Sequence, residues 1–167
     1  MLLSIQVLRM PFVKVTTLMN ICNIFDLGMP QYDLFHNQVK NALTKDGWVI
    51  TDDPFILEYK GLRLYADLGA EKLFAAQKMQ QKIVIEIKVF NSPSLITELE
   101  KTLGQYNIYV SLIKRINPER KLYLAIPEAA YEDFFLKPAI QDILSDQQQI
   151  NYIIFDPIQE VIVQWIN

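Results

Sequence analysis

Nine residues, Lys82-Ile83-Val84-Ile85-Glu86-Ile87-Lys88-Val89-Phe90, constrain this chain more than any others. Side chains branched at Cβ lose rotamer freedom against a helical turn but pack well on a pleated surface, so such a run favours a strand. Its apolar character places that strand in the middle of a sheet rather than at a wet edge. Strand periodicity then puts Ile83, Ile85, Ile87 and Val89 on one face and Val84, Glu86, Lys88 and Phe90 on the other. An acid and a base thus sit two residues apart among apolar neighbours. Burying either charge is costly without a partner or a metal, so the strand is expected to offer both to a site.

Around this strand the pattern predicts an α/β domain with a mixed central sheet flanked by helices. Phe35, Val39, Ala42 and Leu43 recur at helical spacing between Tyr32 and Asp46, with Gly47 as a left-handed cap and Met29-Pro30 leading in. Trp48–Thr51 and Phe55–Tyr59 are β-prone and separated by the turn triplet Asp52-Asp53-Pro54, which reads as a strand with its continuation or hairpin partner. Leu62 to Leu68 alternates, placing Arg63, Tyr65 and Asp67 on one face, and Gly69 closes that strand. Residues 70–80 read as a short helix or long loop. Ser92-Pro93 is expected to cap and open a long helix carrying Leu95, Leu99, Tyr106, Val110 and Ile113 on one stripe. A strand over 121–126 follows, parallel to the Glu86 strand, then a helix over 129–144 and strands over 152–155 and 161–165.

At 167 residues, 51% of them hydrophobic and 21% charged, the chain is large enough for one domain with its own core. A lone Cys22 forms no internal disulfide, and no Cys/His spacing suits structural zinc, so a reducing cytoplasm fits best. A net charge of -3 attracts no nucleic acid globally; DNA binding has to rest on a local basic edge or a bound cation. Lys72, Lys78 and Lys82, leading into the Glu86 strand, are the candidate edge. The first 28 residues are apolar but interrupted by Arg9, Pro11 and Lys14, and the uncharged stretch from there to Phe25 is too short to span a bilayer. Two expectations stand for them, a poorly ordered extension upstream of a natural start at Met29 or a short extra strand or helix packed on the domain, which is 29–167. The terminal run Val161-Ile162-Val163-Gln164-Trp165-Ile166 is either a core strand or an edge that meets a partner, a second copy of the chain included.

Asp67 at the end of its strand is expected to lie beside Glu86 on the neighbouring one. Two carboxylates with the Ile87 carbonyl and waters make an oxygen cage suited to Mg²⁺ or Mn²⁺, which acidifies a bound water and screens phosphate. Lys88 would orient the attacking water or neutralise developing charge. Gln105 and Tyr109, four apart on the long helix, face the same way. His36, the single histidine, would address the site from the first helix, and Glu71 is a further acid. The structural alternative is an ion pair of Glu86 with Lys88 or Arg63.

An acid on one strand followed by Glu-x-Lys on the next, with Gln-x-x-x-Tyr on the following helix, resembles the PD-(D/E)xK nuclease pattern. From 29 to 167 the chain also resembles the XisH family of fdxN-element excision controlling factors. The resemblance rests on His36-Asn37-Gln38-Val39-Lys40-Asn41-Ala42-Leu43, Lys45-Asp46-Gly47-Trp48, Asp67-Leu68-Gly69-Ala70-Glu71-Lys72 and Ile85-Glu86-Ile87-Lys88. It continues through Leu103-Gly104-Gln105-Tyr106, Leu122-Tyr123-Leu124-Ala125-Ile126-Pro127, Phe155-Asp156-Pro157 and Gln164-Trp165-Ile166. It implies a restriction-endonuclease-like fold and a role in DNA excision beside a companion XisI-type protein and a site-specific recombinase. The competing expectations are an active Mg²⁺-dependent endonuclease, alone or as one half of a toxin-type pair, and an inert scaffold for the companion.

Overall fold

The computed structural model describes residues 34–74, 79–147 and 149–167. The expected extension over 1–28, the Met29-Pro30 lead-in and Lys78 lie outside them. In chain order the elements are α1 (His36–Lys45), β1 (Val49–Asp52), β2 (Phe55–Tyr59), β3 (Leu62–Ala66), β4 (Leu68–Phe74), β5 (Met79–Ile87) and α2 (Leu95–Ile116). There follow β6 (Arg120–Pro127), α3 (Glu128–Ala130), a π-helical turn (Tyr131–Phe135), α4 (Pro138–Ser145), β7 (Asn151–Asp156) and β8 (Val161–Ile166).

Six strands form one mixed sheet in the order β1-β4-β5-β6-β7-β8. The β5–β6 and β6–β7 pairs are parallel and the other three antiparallel, so the crossover through α2 makes the predicted parallel neighbours. The alternation of β5 divides the core as expected. Ile83, Ile85 and Ile87 face α1 with Val39, Leu43, Leu68 and Phe155, whereas Val84 faces α2 with Leu99, Tyr106, Leu122 and Phe135.

β2 and β3 form a separate two-stranded sheet. Lys60 (φ 47°) and Gly61 (φ 84°) both take left-handed backbone in its two-residue turn, as a hairpin matching strand twist requires. Phe55, Leu57 and Ala66 bury one face of this hairpin in the α2 cluster. β1 and β2 are therefore not hairpin partners: the chain passes from the main sheet to the small one across Asp52-Asp53-Pro54, where the Asp53–Pro54 peptide is cis.

Four further expectations are corrected. Gly69 does not close a strand but lies inside β4, paired with Val84. A Cβ there would stand 2.7 Å from both Asp52 Oδ2 and the Phe55 ring, so the close approach of the two sheets requires glycine. Gly69→Ala is expected to cost about 2 kcal/mol through this overpacking, measured by urea unfolding. Residues 70–74 are strand, because their ladder with β5 outweighs the helix preference of Ala-Glu-Lys-Leu. The cap of α2 is Ser94, whose side chain accepts from the Thr97 amide, two residues beyond the expected cap. The helix over 129–144 is broken: Lys137 precedes Pro138 and is held extended (φ −65°, ψ 133°), since the proline ring clashes with helical backbone before it. Among the described residues no helix is long and apolar enough to cross a membrane.

Candidate active site

The charged residues gather where the parallel strands end, a usual place for function in α/β sheets. β4 stops short there. Leu68 pairs with Ile85, and one step further the chain has already turned away into the hairpin, so Ile87 has β6 on one side and no strand on the other. The Lys88 amide points toward β6 and donates to the Ala125 carbonyl at 2.9 Å, so the Ile87 amide points toward the missing strand. Asp67, the single residue between β3 and β4, fills that gap: its Oδ2 accepts from the Ile87 amide at 2.7 Å.

Glu86, buried at 6% exposure, lies on the α2 face. Its Oε1 accepts from Lys88 Nζ at 2.8 Å and from Gln105 Nε2 at 2.7 Å. Gln105 Nε2 also donates to the Tyr109 hydroxyl oxygen at 2.8 Å, and Tyr109 donates in turn to the Tyr65 carbonyl at 2.5 Å. The i, i+4 spacing on α2 thus ties the central strand to the hairpin through one continuous relay. Burial, and then the Glu86 carboxylate, push the Tyr109 phenol up to about 12, so it remains a donor throughout the physiological range.

The sheet's other face contributes more than sequence suggested. His36 at the start of α1 is buried and its Nε2 lies 2.8 Å from Asp53 Oδ1, while Lys40, one turn on, donates to Asp53 Oδ2 at 2.5 Å. Both His36 and Asp53 lie within electrostatic reach of Asp67. Asp53 and Lys40 were invisible as site residues, because Asp52-Asp53-Pro54 reads only as a turn and its position depends on the pairing of β1 with β4. Burial raises the Asp53 carboxyl, but the Lys40 hydrogen bond and His36 outweigh it and hold the group below its ordinary value.

Asp67 goes the other way. Burial raises its carboxyl above the ordinary range, Asp53 adds to the rise, and the Ile87 amide, Lys88 and His36 offset only part of it. Two consequences follow for stability. Asp67→Ala strands the Ile87 amide and is expected to cost about 1–2 kcal/mol, whereas Asp67→Asn keeps an acceptor and removes a buried charge. Because the folded state holds the Asp67 proton more tightly than the unfolded state, the ionisation penalty is absent at low pH and grows as pH rises through the raised value. Asp67→Asn is therefore expected to be more stable than wild type at pH 7, with the difference closing as the pH falls; thermal melts across pH 4–8 check this.

Not every predicted residue belongs here. Glu71 pairs with Arg120 at 2.7 Å and Lys82 at 3.7 Å, and Lys82 stands four residues, about 13 Å, up the strand from Glu86. Lys72 is bound to the Asp46 carbonyl and carboxylate and lies over Trp48. These lysines brace the opposite end of the sheet and form no phosphate edge beside the site. Arg63 pairs with Glu58, not Glu86.

Among the described residues no three His, Cys, Asp or Glu side chains form a ready-made metal cluster. The two carboxylates at the strand exit, Asp67 and Glu86, both within electrostatic reach of Tyr109, are hard oxygen donors. They fit a small divalent cation that takes one or two protein carboxylates and keeps several waters.

A family model described as XisH protein matches residues 29–163. Two solved structures are similar to the chain, one of an XisH family protein from Nostoc punctiforme PCC 73102 and one of a fdxN element excision controlling factor protein from Anabaena variabilis. Each is 40% identical with a TM-score of 0.72, and the match spans 81% of this chain and 100% of the other. No curated protein matches.

Proposed function

The chain belongs to the XisH family, and we propose that it is a controlling factor in the excision of a DNA element, engaging DNA through a nuclease-like pocket built on Asp67, Glu86 and Lys88. The observation that carries this reading is the exit of β5, where Asp67 substitutes for a missing strand at Ile87 while Glu86 and Lys88 meet beside it. Together with the mixed sheet between helices, that arrangement supports a restriction-endonuclease-like architecture. In this reading Asp67, Glu86 and the Ile87 carbonyl hold Mg²⁺ or Mn²⁺. When bound, the cation supplies charge for phosphate and acidifies water. Lys88 positions the incoming oxygen, Gln105 and Tyr109 hold Glu86 in place, and Asp53 with Lys40 orients His36 toward Asp67.

The partners in this reading are DNA, a companion protein of the XisI type and a site-specific recombinase, in the cytoplasm. β8 lies at the sheet's end with Val163 exposed and no charged residue, which suits it to meet the companion or a second copy. Copurification with the product of the neighbouring reading frame tests the companion; a clean monomer would count against it.

The cation and cleavage are tested with supercoiled, linear and branched DNA in Mg²⁺ or Mn²⁺, comparing wild type with Glu86→Ala and Lys88→Ala. Cleavage by wild type that falls to background in both variants is the result expected of an active endonuclease. Absent cleavage with cation-dependent DNA binding, lost in Glu86→Ala, leaves a binding pocket. A second reading has its own support: Glu86 Oε1 already accepts from Lys88 and Gln105, so an inert ion pair satisfies the same geometry. Identical DNA binding by all three proteins, with or without cation, selects that scaffold.

A further inference from the structure

The β2–β3 hairpin buries one face and leaves the other in solvent. On the solvent face Ile56 pairs directly across from Tyr65, and these side chains are 47% and 53% exposed. The next pair along that face is Glu58 with Arg63, joined through both Arg63 Nε and Nη2. Lys60 stands at the turn. An aromatic and an aliphatic side chain therefore form one flat apolar step, bordered by a planar cation.

This step adjoins the pocket. Tyr65 lies two residues before Asp67, about 7 Å along the chain. Its backbone is also fixed relative to Glu86, because the Tyr65 carbonyl closes the Gln105–Tyr109 relay. The platform and Glu86 are thus held at a set separation through the Tyr65 carbonyl and the Gln105–Tyr109 relay, whatever side chain stands at 65.

We propose that the Ile56–Tyr65 step is a stacking platform for unpaired nucleobases, feeding a single-stranded or frayed segment of DNA to the Asp67–Glu86 pocket; this rests on the DNA-engaging reading of that pocket. Charge selects an unpaired strand over a duplex. Following duplex phosphates needs a stripe of cations, but the chain carries 19 acids to 16 bases, and the hairpin offers only Lys60 and an Arg63 already held by Glu58. An unpaired strand needs fewer cations, because stacking of bases on an aromatic face supplies much of the affinity and tolerates any sequence. A guanidinium beside the ring adds to it.

The test is fluorescence anisotropy of a labelled fifteen-nucleotide oligo(dT) and of a duplex of equal length, in Mg²⁺, with wild type, Tyr65→Ala, Tyr65→Phe and Glu86→Ala. Circular dichroism and melting temperature establish that each variant is folded; Tyr65 belongs to neither core cluster, and Tyr65→Phe keeps the stacking face while removing the hydroxyl that meets Arg63. Tyr65→Ala is expected to weaken oligo(dT) binding roughly 5- to 100-fold, with Tyr65→Phe near wild type and duplex binding unchanged. If Tyr65→Ala binds the oligonucleotide as wild type does while Glu86→Ala does not, the platform is wrong and the pocket stands. Equal losses for oligonucleotide and duplex overturn the preference for unpaired strands. If wild type binds neither DNA, pocket and platform fall together. Loss of a copurifying protein in Tyr65→Ala, with oligonucleotide binding intact, makes the step a protein contact and overturns the proposal.

Discussion

Phe135→Ala is expected to lower the free energy of unfolding by about 3–5 kcal/mol, the largest loss of any single truncation considered for this chain. Phe135 is 1% exposed and lies at the centre of a ring cluster: Phe90 at 4.7 Å, Phe134 at 5.5 Å, Tyr152 at 5.9 Å and Tyr131 at 6.1 Å. Those neighbours come from the exit of β5, the π turn and β7, so the cavity left by truncation has no single flexible element able to collapse into it. A second effect reaches the site. Phe90 holds left-handed backbone at φ 53°, a strained setting for a residue with a Cβ, while its amide and that of Ser92 donate to the Glu98 carboxylate at 2.9 and 3.1 Å. Removing the Phe135 ring takes away one of the two rings that hold Phe90 there. Urea unfolding checks the first effect. Faster hydrogen exchange at the Phe90 and Ser92 amides checks the second, and unchanged exchange there would show that Glu98 alone holds the loop.

Lys88→Met is expected to destabilise by about 2–4 kcal/mol, because it leaves the buried Glu86 carboxylate without its cation. The Glu86 side chain is 7% exposed and that of Lys88 21%, so water makes up little of the loss. Gln105 still donates to Glu86 Oε1, which favours the lower half of that range. Adding Glu86→Gln to Lys88→Met removes the charge at fault and is expected to recover most of the stability. A double variant no more stable than Lys88→Met would mean that lost lysine packing, not an orphaned charge, is responsible. The pair of measurements also separates a structural ion pair from a cation site, since Mn²⁺ is expected to raise the melting temperature of Lys88→Met and leave the double variant unmoved.

The parts of the site that sequence exposed are those whose geometry is set by local period. Glu86 and Lys88 share a face because strands alternate, and Gln105 and Tyr109 share one because helices turn every 3.6 residues. Asp67 was legible as lying at a strand exit, although its strand was drawn two residues too long: β3 ends at Ala66, and Leu68 belongs to β4 and faces α1, away from Ala66. What sequence concealed depends on pairings between distant segments. Asp53 becomes a partner of His36 only after β1 pairs with β4, and residues 70–74 become strand only beside β5. The break at Lys137-Pro138 was written in the chain, since a residue before proline avoids helical backbone, and the apolar periodicity of 129–144 hid it.

Asp67 is the single residue between two sheets, and the hairpin before it returns the chain to the place it left at Asp53. In engineering terms this makes the tip of the hairpin, not its buried strands, a place for insertion. Residues inserted at the solvent-facing Lys60-Gly61 turn lengthen a ribbon without moving either anchor, and loop-closure entropy grows only slowly with length. A peptide tag or fluorophore placed there is carried six residues, roughly 20 Å of strand, from Asp67 at a cost of about 1 kcal/mol or less.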